Sequence, residues 1–487
     1  MRNLTVNAKP LVLIAIAFIV GACGIVTETA GKAADSAAQK IEEVVTTADE
    51  PEGPSGDETP PDEPALPDPD TTSEEGPLDD IIEDAEQDAA DETDEELLLP
   101  APEITLRQLD VASPETIEHI AYVEAFWTDV ADQLDFTYEP LDNDRLLPRS
   151  LILDDRTQTC SFRRVEQPVD PDIAEFNAYV QPCDEGITVV WDDIGLEADL
   201  EARFPGAGMA MLISHEWGHV VQLQRQQFAQ SDIVAEQQAD CYSGAYAAWA
   251  EDRGIEPFTS AEALDFAIIS TLETRDAVGS RPDDFGAHGN GFDRVRATQE
   301  GYDRGITFCA SYDEVLPVIT QRGFDSAADR QNEGNLPYEP AFDLLVPAVI
   351  EFYESLSDEP LQQFVDEPDD RILRELHATI GDLAIGTEYS LRYGAAVQEA
   401  NGDAVGGVGP ALQRACLAGA FLENALTNGI VDENGEPAGE LSPGDLDEAI
   451  ITLTSSDELL SNPGLVFEMV AALRVGTLEG LDACALA

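Results

Sequence analysis

Two histidines four residues apart, His215 and His219, with Glu216 directly after the first, have the types and spacing to do chemistry at a metal ion. On a helix, positions i and i+4 share one face, so both imidazoles can bind one Zn2+. Glu216 can then reach a metal-activated water as general base. The next segment, Val234-Ala-Glu-Gln-Gln-Ala-Asp-Cys241, offers Glu236 as a third ligand. One turn further on, Asp240 can hold a ligand histidine by a hydrogen bond.

That chemistry requires two helices lying against each other. The first belongs to the apolar run from Met209, too hydrophobic for an ordinary solvated helix, and the second carries Glu236 and Asp240. Gly218, inside the first, costs about 1 kcal/mol relative to Ala, which predicts the close approach of another backbone there. The run Gly206-x-Gly-Met-Ala-Met-Leu-Ile-Ser-His-Glu-Trp-Gly-His-Val-Val-Gln222 is followed by Gln237-Gln-Ala-Asp-Cys-Tyr-Ser-Gly-Ala-Tyr246 and His288-Gly-Asn-Gly-Phe-Asp-Arg294. Together these resemble the bacterial neutral zinc metallopeptidase family over about residues 115–310. The resemblance implies a zincin fold with His215, His219 and Glu236 as zinc ligands. It also implies that the strand preceding the zinc helix edges the cleft and pairs with extended substrate, for which residues 186–192 are the candidate.

Such an enzyme needs a donor facing the scissile carbonyl oxygen. His288, in the turn-rich loop Asp283-Asp-Phe-Gly-Ala-His288-Gly, is the candidate, with Arg294 and Tyr242 as rivals. His119 and His377 have no motif around them and are read as structural. Ser113-Pro114-Glu115 marks a helix start, while Leu151-Ile-Leu-Asp and Gly186-Ile-Thr-Val-Val-Trp191 read as strands. Ser260–Thr274 reads as a further helix.

Upstream, Arg2 and Lys9 precede an apolar run from Leu11 to Val20, then Gly21-Ala22-Cys23. This pattern is expected of a lipoprotein signal, with lipid on Cys23, the alternative being an ordinary secretory signal and a secreted protein, and the run is too short to span a bilayer. Between Asp49 and Glu96 stand 22 acidic residues and no basic one, among many prolines, which predicts a disordered, self-repelling tether. Of 99 acidic residues the other 77 face 25 basic ones, leaving −52 of the total −74 on the rest of the chain. Self-repulsion of that size is screened only by salt, so a high-salt habitat is expected; nucleic acid is excluded as a partner.

After residue 310 the chain echoes itself. Cys416-Leu-Ala-Gly-Ala-Phe421 matches Cys241-Tyr-Ser-Gly-Ala-Tyr246, and Leu446-Asp matches Leu264-Asp. Phe467 leading to Gly476, Gly480 and Cys484 matches Phe292 leading to Gly301, Gly305 and Cys309. We read an internal duplication. Its second copy is blank. Glu236 maps to Ala411, Asp240 to Ala415 and His288 to Pro463, with no second HExxH. The 114 residues from Trp127 to Cys241 shrink to 63 from Tyr353 to Cys416, so the sheet and zinc helix are expected to be missing or eroded. The equal 68-residue separations pair Cys241 with Cys309 and Cys416 with Cys484, leaving Cys160 with Cys183, as suits an exported chain. Asp432-Glu-Asn-Gly-Glu436 lacks the spacing of a calcium loop and reads as a turn.

The expected fold class is α+β. A signal peptide at 1–22 and a tether at 23–104 precede a zincin-like domain at 105–310, mostly helical with a small sheet. A degenerate, mainly helical duplicate follows at 311–487. The expected protein is an extracytoplasmic, membrane-anchored peptidase acting on peptide or protein substrates. Two alternatives are an anchored scaffolding protein with non-catalytic zinc and a zinc hydrolase of a non-peptide envelope bond.

Overall fold

The computed structural model describes residues 99–102, 104, 106, 112–155, 158–162, 165–227, 231–431, 437–455 and 464–484. Cys23, the acidic tether, the turn at Asp432–Glu436 and Pro463 lie outside them. Helix α1 (Pro114–Val130) starts where the local chemistry says it must: the Ser113 hydroxyl accepts from the Thr116 N–H at 3.1 Å, and Pro114 takes the first helical position. Strand β1 (Leu146–Pro148) runs into helix α2 (Arg149–Asp154), so Leu151-Ile-Leu-Asp is helical rather than extended. The reason is tertiary. The Asp193 carboxylate, 43 residues away, takes the Ser150 N–H at 2.8 Å and so caps that short helix.

Strands β2 (Thr159–Phe162) and β3 (Val165–Pro168) form an antiparallel pair. Strands β4 (Ala178–Cys183) and β5 (Gly186–Trp191) complete a three-stranded sheet of order β1-β5-β4 with β1. β5 is therefore central, parallel to β1 and antiparallel to β4. This corrects, for Val189–Trp191, the expectation that residues 186–192 pair with substrate, because over those three residues both sides of β5 are already hydrogen-bonded and cannot accept another strand.

Helix α3 (Leu196–Arg203) leads into α4 (Ala207–Gln224), then α5 (Asp232–Glu251), α6 (Ala261–Glu273) and α7 (Gly291–Ala310). The second half continues with α8 (Ala327–Gln331), α9 (Tyr338–Glu354), α10 (Asp370–Thr379), α11 (Leu383–Asn401) and α12 (Val408–Asn428). A two-stranded ribbon of β6 (Ile430–Val431) and β7 (Pro437–Gly439) follows, then α13 (Asp445–Thr454) and α14 (Leu465–Glu479). The architecture is thus mostly helical with a small sheet, and one apolar core runs from α1 through to α14.

The two helical halves repeat each other's contacts. A Cβ on Gly244 would overlap the Thr298 carbonyl oxygen, and one on Gly301 the Cys241 carbonyl oxygen, so α5 and α7 cross backbone to backbone. The α12–α14 crossing repeats this at Gly419 against Leu473 and at Gly476 against Cys416. A disulfide pins each crossing, Cys241–Cys309 and Cys416–Cys484, both with Cα atoms 5.5 Å apart. Cys160–Cys183 is the third disulfide.

Helix α11 repeats the contacts of α4 without its ligands, as an eroded zinc helix would. Gln222 Nε2 donates to the Ala235 carbonyl (2.8 Å) and to Gln238 Oε1 (3.0 Å); Gln398 Nε2 donates to the Pro410 carbonyl (2.9 Å) and to Gln413 Oε1 (2.8 Å). Registering Gln222 on Gln398 pairs Gly218 with Gly394 and sets Leu391, Arg392 and Ala395 where His215, Glu216 and His219 stand. What the second half lacks, among the described residues, is the three-stranded sheet.

The halves also exchange caps. Asp265 of α6 accepts from the Gly464 and Phe467 N–H groups at the start of α14 (2.8 and 2.9 Å). Asp447 of α13 in turn accepts from the Phe292 N–H at the start of α7 (2.9 Å). This reciprocity is what a two-fold-related contact produces.

Candidate metal centre

Helix α4 puts His215 and His219 on one face, and α5 brings Glu236 to meet them. The close approach is made at Gly218, where a Cβ would stand 2.9 Å from the Ala239 Cα, as the glycine's position led us to expect. His215 Nε2 and His219 Nε2 are 3.1 Å apart, and Glu236 Oε2 lies 3.2 Å from the first and 3.4 Å from the second. All three side chains are buried. Two ring nitrogens and a carboxylate oxygen converging out of water form a group that could hold a metal ion.

Each imidazole is oriented from behind. His215 Nδ1 is 2.7 Å from Asp240 Oδ1, and His219 Nδ1 is 2.9 Å from Gln222 Oε1, so both rings present Nε2 to the centre. Asp240 is in turn gripped by Arg294, whose Nε and Nη2 each reach one carboxylate oxygen at 2.8 Å. Burial opposes ionisation of Asp240, but the Arg294 guanidinium and His215 outweigh it and hold the carboxyl below its ordinary range. Burial likewise opposes ionisation of Glu236, yet the fields of His219 and His288 and hydrogen bonds from His215 and His219 keep it well below that range. Glu216, on the same turn as His215, is fully buried.

The three candidates for a carbonyl-facing donor separate clearly. Arg294 is committed to Asp240 and to the Thr274 carbonyl. Tyr242 lies about 200° round α5 from Asp240. Its ring packs 5.0 Å from Trp127, and its hydroxyl accepts from Arg225 at 3.1 Å. His288 stands where its field reaches Glu236. Its Nδ1 is 3.2 Å from Asp276 Oδ1, and its backbone N–H donates to Asp276 Oδ2 at 2.9 Å. Gly289 N–H (3.1 Å) and Gln321 Nε2 (2.9 Å) donate to the same carboxylate oxygen. Burial would raise the Asp276 carboxyl, but the His288 ring and these donors lower it below its ordinary range.

His119 and His377 stand apart as expected. Burial pushes the His119 imidazole down to about 4, and His377 Nε2 meets the Leu336 carbonyl at 2.8 Å. Sequence reasoning missed the roles of Gln222 and Asp276 and kept Arg294 only as a rival to His288, not as the partner of Asp240. Gln222 was discoverable, since it stands at i+3 from His219. Asp276 carried no local signal.

No helix of the described residues is long and apolar enough to cross a membrane. No protein-family model, no curated protein and no solved structure matches the chain.

Proposed function

We propose that the chain is a zinc metallopeptidase of the neutral zinc metallopeptidase type, with residues 311–487 a degenerate duplicate of the metal-holding half. The observation that carries this is the triangle of His215 Nε2, His219 Nε2 and Glu236 Oε2, with sides of 3.1, 3.2 and 3.4 Å. Such a triangle is one face of a tetrahedron whose centre lies about 2 Å from each corner, the bond length zinc makes to imidazole and carboxylate. Structural zinc sites take four protein ligands, whereas this group has three among the described residues, which leaves a position for water and substrate. Export to an oxidising compartment is supported by the three disulfides and by the signal pattern ending at Cys23, where the membrane anchor would be.

When bound, zinc supplies a Lewis acid that makes water nucleophilic near neutral pH and polarises a peptide carbonyl. The chain's own groups do the rest. Asp240 and Gln222 hold the two imidazoles in the tautomer that offers Nε2. Glu216 accepts the proton from the attacking water and delivers it to the leaving amine nitrogen. His288, its Nδ1–H held by the Asp276 carboxylate, acts as an imidazolium that this carboxylate stabilises and offers Nε2–H to the developing oxyanion.

Zinc analysis of Glu216→Gln, together with digestion of an unbiased peptide library, tests this reading. The variant is expected to keep one equivalent of zinc while turnover falls by roughly 10²–10⁴-fold. Undiminished turnover, or a wild-type chain that binds no zinc from excess at neutral pH, would end it.

A further inference from the structure

The loop of residues 274–290 carries both Asp276 and His288, and a side chain from the other half stands across its base. Asp447 Oδ1 accepts from the Phe292 N–H at 2.9 Å, just beyond the loop's end, while Asp447 Oδ2 lies 3.3 Å from Arg275 Nε at its beginning. The carboxylate is 3% exposed, and Gly291 leaves room for it, since a Cβ there would stand 3.1 Å from Asp447 Oδ1. Arg275 also donates to the Leu272 carbonyl at 2.9 Å, which ties this grip to the end of α6. Above that base, Asp276 N–H donates to the Gly289 carbonyl at 2.9 Å, and the Asp276 carboxylate holds the His288 ring.

We propose that Asp447, contributed by the half that lacks counterparts of His215, His219 and Glu236, is a positioning residue for the metal centre: by clamping both ends of the 274–290 loop it sets where the His288 ring stands. This rests on the reading of His288 as the donor facing the carbonyl. The physical reason is the charge. A buried carboxylate bridging a guanidinium and a helix N-terminus resists displacement, because separating any partner leaves an unpaired buried charge. The second half thus acts on the reaction without holding the metal.

The molecule contains its own control. Asp265 performs the mirror-image capping at the start of α14, where no metal ligand or loop histidine stands. Asp447→Asn and Asp265→Asn in the full chain should cost comparable stability. Only Asp447→Asn should speed amide hydrogen exchange in residues 276–290, by roughly tenfold or more. With zinc content unchanged, its kcat should fall roughly 10- to 100-fold while KM moves less than about threefold. Arg275→Gln, at a partly exposed position, provides the same reading should the first variant not fold.

Loop exchange that is equal in the Asp447 and Asp265 variants overturns the clamp, and a faster-exchanging loop with unaltered kcat overturns the positioning role. Should the wild-type chain cleave no peptide, the proposed function fails. Loop exchange still decides the clamp on its own: faster only in the Asp447 variant upholds it, and equal in both overturns it.

Discussion

Helices α4 and α11 make the same contacts and do different things. Each is crossed at a glycine, Gly218 or Gly394, by its neighbour's backbone or side-chain stem, and each ends on a glutamine, Gln222 or Gln398, that ties it to the next helix. Around those fixed points, the positions of His215, Glu216 and His219 in one helix are held by Leu391, Arg392 and Ala395 in the other. On the facing helix, Glu236 and Asp240 become Ala411 and Ala415. The contacts are shared and the donors are not. Backbone crossings and interhelix hydrogen bonds stabilise any such helix pair, whereas buried imidazoles and carboxylates cost free energy unless they bind something. Leu391, Ala395, Ala411 and Ala415 stand at four of those five positions and avoid that cost.

The sharpest way to break this comparison uses the matched disulfides. Replacing Cys241 and Cys309 by serine should cost about 2–5 kcal/mol and also weaken zinc binding, because the bond fixes α5 one residue from Asp240. The same change at Cys416 and Cys484 should cost as much stability and leave zinc affinity intact. Denaturant unfolding alongside zinc titration separates the two; equal zinc loss in both would show that the halves are not independent in this respect.

A smaller effect is expected at Asp240. Changing it to Asn keeps its shape but weakens its hold on His215 and Arg294, and zinc affinity should drop roughly 10- to 100-fold. An unchanged dissociation constant in competitive chelator titration would remove Asp240 from the centre.

The mildest expectation is a difference in pH response. In the second half, Asp382, Asp445 and Glu448 bring carboxylate oxygens within 4.8 Å of one another. Burial and the neighbouring carboxylates push Asp445 up to about 7 and Glu448 up to about 9. Folded-state values raised above the unfolded ones mean that this contribution is complete below the ordinary carboxylate range. It is lost as pH rises through about 7 and then about 9. Asp276 in the first half, lowered by His288 and its other donors against the pull of burial, works the opposite way. Its contribution is present above the ordinary range and lost as pH falls through its lowered folded value. Protection of α13 from hydrogen exchange, taken relative to the intrinsic rate at each pH, should therefore fall from pH 6 to pH 9 and fall less in Glu448→Gln. No change over that interval would contradict the burial of ionisable acids there.

Several of these features were legible in the residue order because the geometry behind them is local. His215, His219 and Gln222 lie at i, i+4 and i+7 of one helix, and Glu236 and Asp240 at i and i+4 of another, so spacing alone puts each set on one face. Equal separations of 68 residues paired the cysteines as the structure does. Other features were not legible. Leu151–Asp154 has strand-like residues but is helical, since its cap is a carboxylate 43 residues downstream. β5 was expected at an edge and is central, because β1 lies far before it in the chain and pairs on its open side. The counterpart of α4 went unrecognised because its donors are gone; only the contacts of Gln398 and Gly394 reveal it.

The residue order by itself determined that His215, His219 and Glu236 can bind a metal, the faces they occupy and that the second half lacks their counterparts, because these follow from side-chain chemistry and helical period. Tertiary structure alone decided how those groups are held. Arg294 reaches Asp240 from 54 residues on, Asp276 reaches His288 across a loop, and Asp447 reaches Phe292 from 155 residues on. Partners so distant meet only when the chain has packed, and no spacing rule connects them beforehand.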